Sequence, residues 1–183
     1  RPFDVTRNGF VMGEGGFVAV VEDAARAEAR GVPVLADVMG VGASSGITPV
    51  NAWPTDAAPL VRCMRAALDE AGIGPADVGA VYAAANGSVD FDRLESQAIA
   101  TAFGGRPVVT TSVKGAVGEG GMAGAASLVA AVLAGRRGLA LRGLAGCDDL
   151  RLPGLPVERS DLIRRQLVIV IGVFRSWSMP ESI

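Results

Sequence analysis

The apolar positions of this chain change period along its length, and the changes mark its elements. Residues 16–22 (GFVAVVE) are Val-rich and almost continuously apolar, which predicts a short strand covered on both faces, as in the sheets of α/β proteins. Residues 23–30 read as a short helix capped by Asp23 and stopped by Gly31. A second strand is expected over 34–41, followed by a loop over 42–54. Thr55 is placed to cap a helix over 56–71, where Leu60, Cys63, Met64, Ala67 and Leu68 recur on one face and Gly72-Ile73-Gly74-Pro75 closes it. Residues 80–85 form a third apolar run of strand length. A helix over 93–103 follows, with Asp92 as N-cap and Glu95 three residues later in a capping-box arrangement. Residues 108–111 predict a strand, 112–119 a loop and 121–134 a helix. Beyond Gly135 the pattern weakens to a loop over 150–156 and a strand over 166–171. The alternation of strands and helices predicts a layered α/β fold without internal repeats.

The helix over 122–134 has one polar side chain, Ser127, and no charge. A helix apolar all round must be covered on every side. It is either the central helix of a layered architecture larger than this chain, completed by another half or subunit, or simply a well-buried helix.

Composition narrows the function. The chain has 183 residues and a mass of 18.6 kDa, enough for one domain, taken here as 1–183 with a weakly patterned tail over 136–183. Half its residues are apolar and the net charge is -2, the balance of a globular protein. Arg136-Arg137 and Arg164-Arg165 are the only doubled bases, so there is no footprint for nucleic acid or anionic lipid. The longest apolar run outside the Gly/Ala-rich segments, 167–174, falls far short of the ~20 residues of a spanning helix. No histidine is present, which removes Ser-His-Asp and Cys-His catalysis and His-ligated metals from this chain. Cys63 and Cys147 are far apart; one disulfide stays open, but the spacing favours two reduced thiols in a cytoplasmic protein. The opening Arg1-Pro2-Phe3-Asp4 has neither a secretory signal nor an initiating Met, which points to a fragment or a trimmed chain.

Three constellations carry candidate chemistry. Asp90-Phe91-Asp92-Arg93-Leu94-Glu95 is a carboxylate cluster, but helix capping and a favourable dipole interaction explain it better than a metal or acid-base site. Gly118-Glu119-Gly120-Gly121-Met122-Ala123 fits G-x-G-x-x-A, the pattern of a dinucleotide turn. Glu119 would repel a phosphate there, and the expected strand ends well upstream, so no cofactor is expected. Lys114, the only lysine among seventeen bases, lies in a Gly/Ser-rich loop; it is either a required compact ammonium or a chance survivor.

Residues 1–16 (RPFDVTRNGFVMGEGG) closely resemble the RPFDxxRDGFVxGEGAG signature of β-ketoacyl-acyl-carrier-protein synthases, the condensing enzymes of fatty acid and polyketide synthesis. Residues 81–95 align with that family's HGTGTxxxDxxE segment, with Asp92 and Glu95 in register, and 112–119 (SVKGAVGE) align with STKxxxGH. The resemblance spans residues 1–135 and implies the C-terminal half of a thiolase-like αβαβα sandwich, in which two βαβαβ halves bury helices between two sheets. It implies a nucleophilic cysteine upstream of Arg1, matched by neither Cys63 nor Cys147.

The departures from the pattern decide the expectation. Two family histidines donate hydrogen bonds to the malonyl thioester carbonyl; here Ala84 and Glu119 align with them. Losing one such donor costs about 10²–10³ in rate, and a like charge opposes an enolate. Asn86 is a possible donor two places beyond the aligned histidine, and the family's GFGG loop has only Gly172-Val173-Phe174-Arg175 as a counterpart. The resemblance further implies an ion pair between Lys114 and Glu95, with Glu119 as a competing partner. The expectation is therefore a non-catalytic subunit like a chain-length factor, forming a heterodimer with an active ketosynthase and served by acyl carrier protein. The alternatives are a homodimer, a divergent active synthase that uses the upstream cysteine with Asn86, and a module that binds acyl carrier protein without a condensing partner.

Overall fold

The computed structural model describes residues 1–46, 48, 52–137 and 169–170. Helix α1 (Ala24–Ala29) is capped as expected, with the Asp23 carboxylate accepting from the Arg26 N–H. Helix α2 (Ala58–Ala71) is not capped by Thr55: Ala57 is the N-cap residue, and Asp56 accepts the Ala58 N–H at 2.7 Å instead. Pro59 near its start needs no amide partner there, and Gly72 ends it at φ 66°, a conformation open to glycine. The apolar face buried by α2 is the one its spacing predicts, with Val61 added.

Strands β1 (Ala80–Tyr82), β2 (Val109–Thr111) and β3 (Ile169–Val170) form a parallel sheet in the order β2-β1-β3. Ala80, Val81 and Tyr82 pair with Val109, Thr110 and Thr111, while Val81 and Tyr82 pair with Ile169 and Val170. Helix α3 (Val89–Ala102) connects β1 to β2, and the one-turn α4 (Lys114–Val117) precedes α5 (Ala123–Arg136).

The twofold period of β1 sorts its side chains between two layers. Val81 joins the core made by Leu60, Met64 and Leu68 of α2 with Leu94, Ala98 and Ile99 of α3. Ala80 and Tyr82 point the other way, onto Ala131 and Ala134 of α5. The order is therefore helix pair, sheet, helix.

Two expected strands are corrected. Residues 16–22 and 34–41 make no ladder among the described residues, and Val18, Val20 and Val41 are 91%, 84% and 67% exposed. A strand is completed by a neighbour's amides, and none of the described strands lies alongside either segment. Helix α5 is covered by this chain on part of its circumference: Ala123, Ala126, Ser127, Ala131 and Ala134 are buried, while Leu133 is 45% exposed. Gln166 to Val168, Ile171, the tail after it, the loop over 150–156 and Cys147 lie outside the described residues, apart from β3.

Candidate functional site

The chain leaves β1 through Ala83, whose N–H reaches the Thr111 carbonyl at 2.7 Å, and then turns through residues 84–88 beneath the start of α3. Two carboxylates of α3 hold that turn. Asp92, 1% exposed, accepts backbone N–H groups from Asn86 at 2.9 Å, from Gly87 at 3.1 Å and from Phe3 at 2.7 Å. Glu95, fully buried one turn later, accepts the Ala84 N–H at 2.8 Å.

Asp92 is thus not the cap expected of it. The helix begins earlier, with Ser88 at its N-cap, which leaves Asp92 in the first turn and turned inward. Asp90 is exposed and pairs with Arg93 at 3.6 Å, so the carboxylate run divides into an outward helix pair and two inward anchors. Neither anchor takes the capping role, and the capping box expected of Asp92 and Glu95 does not form.

Opposite this turn, Ser112 Oγ donates to the Ala85 carbonyl at 2.6 Å, and α4 then carries Lys114. The Lys114 ammonium lies 2.8 Å from Glu119 Oε2. Asn86 Nδ2 donates to the same oxygen at 2.7 Å, and the Gly120 N–H donates to Glu119 Oε1 at 3.0 Å. Asn86 is itself fixed, because its Oδ1 accepts the Ser88 N–H at 2.9 Å. The expected Lys114–Glu95 ion pair does not form within 4.0 Å; the lysine goes to Glu119, the carboxylate expected as the competitor. Ala84, Asn86, Glu95, Lys114 and Glu119 are all drawn together by these contacts, with Ala84 contributing only its backbone.

A feature missed in the sequence binds the two loops together. Residues 9–13 run as a strap between them: Gly9 N–H donates to the Gly87 carbonyl, Glu119 N–H to the Val11 carbonyl, and Gly13 N–H to the Glu119 carbonyl, each at 2.9 Å. Gly13 and Gly118 pass so closely that a Cβ on Gly118 would stand 2.7 Å from the Gly13 Cα, and Gly118 has φ 80°. The only signal for this strap was the density of glycine in residues 9–16, which the sequence presents as part of a signature and not as a clamp.

The electrostatics follow from burial. Glu95 is pushed up from 4.5 to about 7, first by desolvation; repulsion from Asp92 adds to this, while the Ala84 and Ala85 N–H groups and the charge of Lys114 oppose it. Its Oε2 has no hydrogen-bond partner among the described residues. Burial pushes Glu119 upward too, but the hydrogen bonds from Lys114 and Asn86 outweigh it and hold the carboxyl below its ordinary value. Glu119 is therefore an anion at neutral pH, as its sequence position implied. Cys63 is buried, donates to the Gly42 carbonyl at 2.9 Å, and is pushed up by desolvation, the environment of an inert thiol. Among the described residues no helix is long and apolar enough to cross a membrane, and no group of three or more His, Cys, Asp or Glu is placed to hold a metal ion. Between β2 and α5 stand α4 and the Glu119 turn, so the G-x-G-x-x-A stretch is not a tight strand-to-helix turn.

A parallel sheet flanked by helices, with its site at the carboxyl ends of the strands, defines a layered α/β protein. The C-terminal domain family of β-ketoacyl synthases matches residues 35–144. A 3-oxoacyl-[acyl-carrier-protein] synthase 2 of Rhizobium meliloti (strain 1021) is 35% identical over 167 residues, covering 89% of this chain and 38% of that protein. Among solved structures, the ishigamide ketosynthase/chain length factor superposes with a TM-score of 0.68 at 35% identity, over 75% of this chain and 34% of that one. A type II polyketide synthase acyl-carrier protein in complex with its ketosynthase bound to the hexaketide gives 0.65 at 28% identity, over 72% and 33%. The chain belongs to the β-ketoacyl synthase family and spans about a third of the length of the curated relatives it matches.

Proposed function

We propose that this chain is part of a non-catalytic, chain-length-factor-type subunit of fatty acid or polyketide biosynthesis, cytoplasmic, that forms a heterodimer with an active ketosynthase elongating acyl chains from malonyl-acyl carrier protein. One observation carries the reading: where the aligned family pattern has two hydrogen-bond donors, this chain has Ala84 and the anion of Glu119, tied down by Lys114 and Asn86. A carboxylate held charged in that position opposes an enolate, and a methyl group has nothing to donate. The divergent-synthase alternative needs Asn86 as a donor to substrate, but one of its amide hydrogens is on Glu119 and its oxygen is on Ser88. The similarity to a solved ketosynthase/chain length factor supports the same reading.

The test is to co-express the full-length gene with a partner ketosynthase and to determine the stoichiometry and activity of the purified species. A 1:1 complex in which condensation depends on the partner's cysteine is the expected result. Condensation of malonyl units by this subunit alone, at a rate comparable to the complex, would overturn the proposal.

A further inference from the structure

Lys114 stands near two carboxyl groups and is held by one of them. Its Nζ is 2.8 Å from Glu119 Oε2. Glu95 is completely buried, and its Oε2 has no hydrogen-bond partner among the described residues, although the charge of Lys114 acts on it. A buried acceptor without a partner is costly, and an ammonium would remove that cost. The backbone of Lys114 is anchored, its N–H donating to Ser112 Oγ at 3.3 Å, while its side chain is a flexible four-carbon stem. The anchored backbone leaves that stem as the part of Lys114 that can rotate.

We propose that Lys114 is a two-position switch, paired with Glu119 while that carboxylate is charged and turning inward to Glu95 when Glu119 is neutralised or engaged by a group entering the site. The charged groups facing Glu95 are Asp92 from its own helix and Lys114 from α4. Those facing Glu119 are Lys114 and the dipoles of Asn86 and the Gly120 N–H. In the outward position Glu95 shares in holding a proton near neutral pH and Glu119 holds none. When Lys114 arrives, the O–H bond on Glu95 breaks and its proton leaves to solvent. The state of the site is thereby converted into charge on a carboxylate buried behind Ala84. This inference is independent of the heterodimer proposal, and its test requires no ketosynthase.

The experiment is an infrared pH titration of the full chain, following the carbonyl stretch of protonated carboxylic acid, with the Glu95 band assigned by its disappearance in Glu95→Gln. The parent should lose that band with a midpoint near pH 7. In Glu119→Gln the midpoint should fall by about 1–3 pH units, the effect of an opposite charge brought into contact. The double variant Glu119→Gln/Lys114→Met is decisive: without the lysine the midpoint should return to the parental value or above it. Glu119→Ala carries the same expectation and serves if the Gln variant does not fold. An unchanged midpoint in the single variants, or a fall that persists without Lys114, would overturn the switch.

Discussion

Replacing Glu95 by Gln should change how stability depends on pH, in a direction opposite to that of most carboxyl groups. Glu95 is displaced from 4.5 to about 7 in the folded chain, chiefly by desolvation. Between those values the folded chain keeps a proton that the unfolded chain has released. The unfolded state then binds fewer protons, so stability falls as pH rises from about 4.5 and levels off above pH 7. At about 1.4 kcal/mol per pH unit, the displacement corresponds to about 3 kcal/mol lost across that window. The amide introduced by Glu95→Gln is neutral throughout and can still accept the Ala84 N–H, so its own contribution is constant in pH. Urea denaturation of both proteins at intervals from pH 4.5 to 8 should therefore show the Gln variant gaining about 3 kcal/mol relative to the parent. The difference between the two is the quantity to follow, because Asp4 and Glu119 are held low and act with the opposite sign in the parent and the variant alike. A difference between variant and parent that does not change with pH would refute the assignment of a buried, proton-holding carboxyl to this position.

Three further outcomes are expected. Asp92→Ala leaves the N–H groups of Phe3, Asn86 and Gly87 without their acceptor and should cost about 3 kcal/mol or more in urea denaturation, with Asp92→Asn milder because one oxygen remains. Lys114→Met should cost about 1 kcal/mol at neutral pH, since the pair is partly exposed, and the cost should fade below pH 4.5 as Glu119 becomes protonated through its lowered value; thermal melts at pH 7 and 3.5 measure this. Gly118→Ala places a Cβ 2.7 Å from the Gly13 backbone at a left-handed φ of 80°, so amide hydrogen exchange at Gly13 and Glu119 should accelerate at least tenfold, while amides of α2 should be unaffected.

Much of the scaffold was legible in the sequence because it is local. The α2 face follows from helical spacing, β1 from a short apolar run, and the Asp23 cap and Gly72 stop from single residues. What failed depended on partners distant in the chain. Residues 16–22 and 34–41 have the composition of strands, but composition cannot supply the neighbour that makes a ladder. Asp92 matched a capping pattern because the pattern sees three residues at a time; its real partners include Phe3, 89 positions away. The motif alignment named five residues that share one set of contacts in the fold, yet it could not say which carboxylate Lys114 would choose. That choice depends on where the strap of residues 9–13 holds the Glu119 turn, a tertiary fact carried by main-chain hydrogen bonds.

The make-up of that strap bears on how such a site can change its chemistry. The links from Gly9 to Gly87, from Glu119 to Val11 and from Gly13 to Glu119 run entirely between peptide groups, so they are indifferent to the side chains at positions 84, 86 and 119. Residues there can be exchanged, donor for methyl or imidazole for carboxylate, while the frame that displays them keeps its shape. A lineage with such a frame can abandon a reaction, or recover one, through a few substitutions and without passing through an unfolded ancestor.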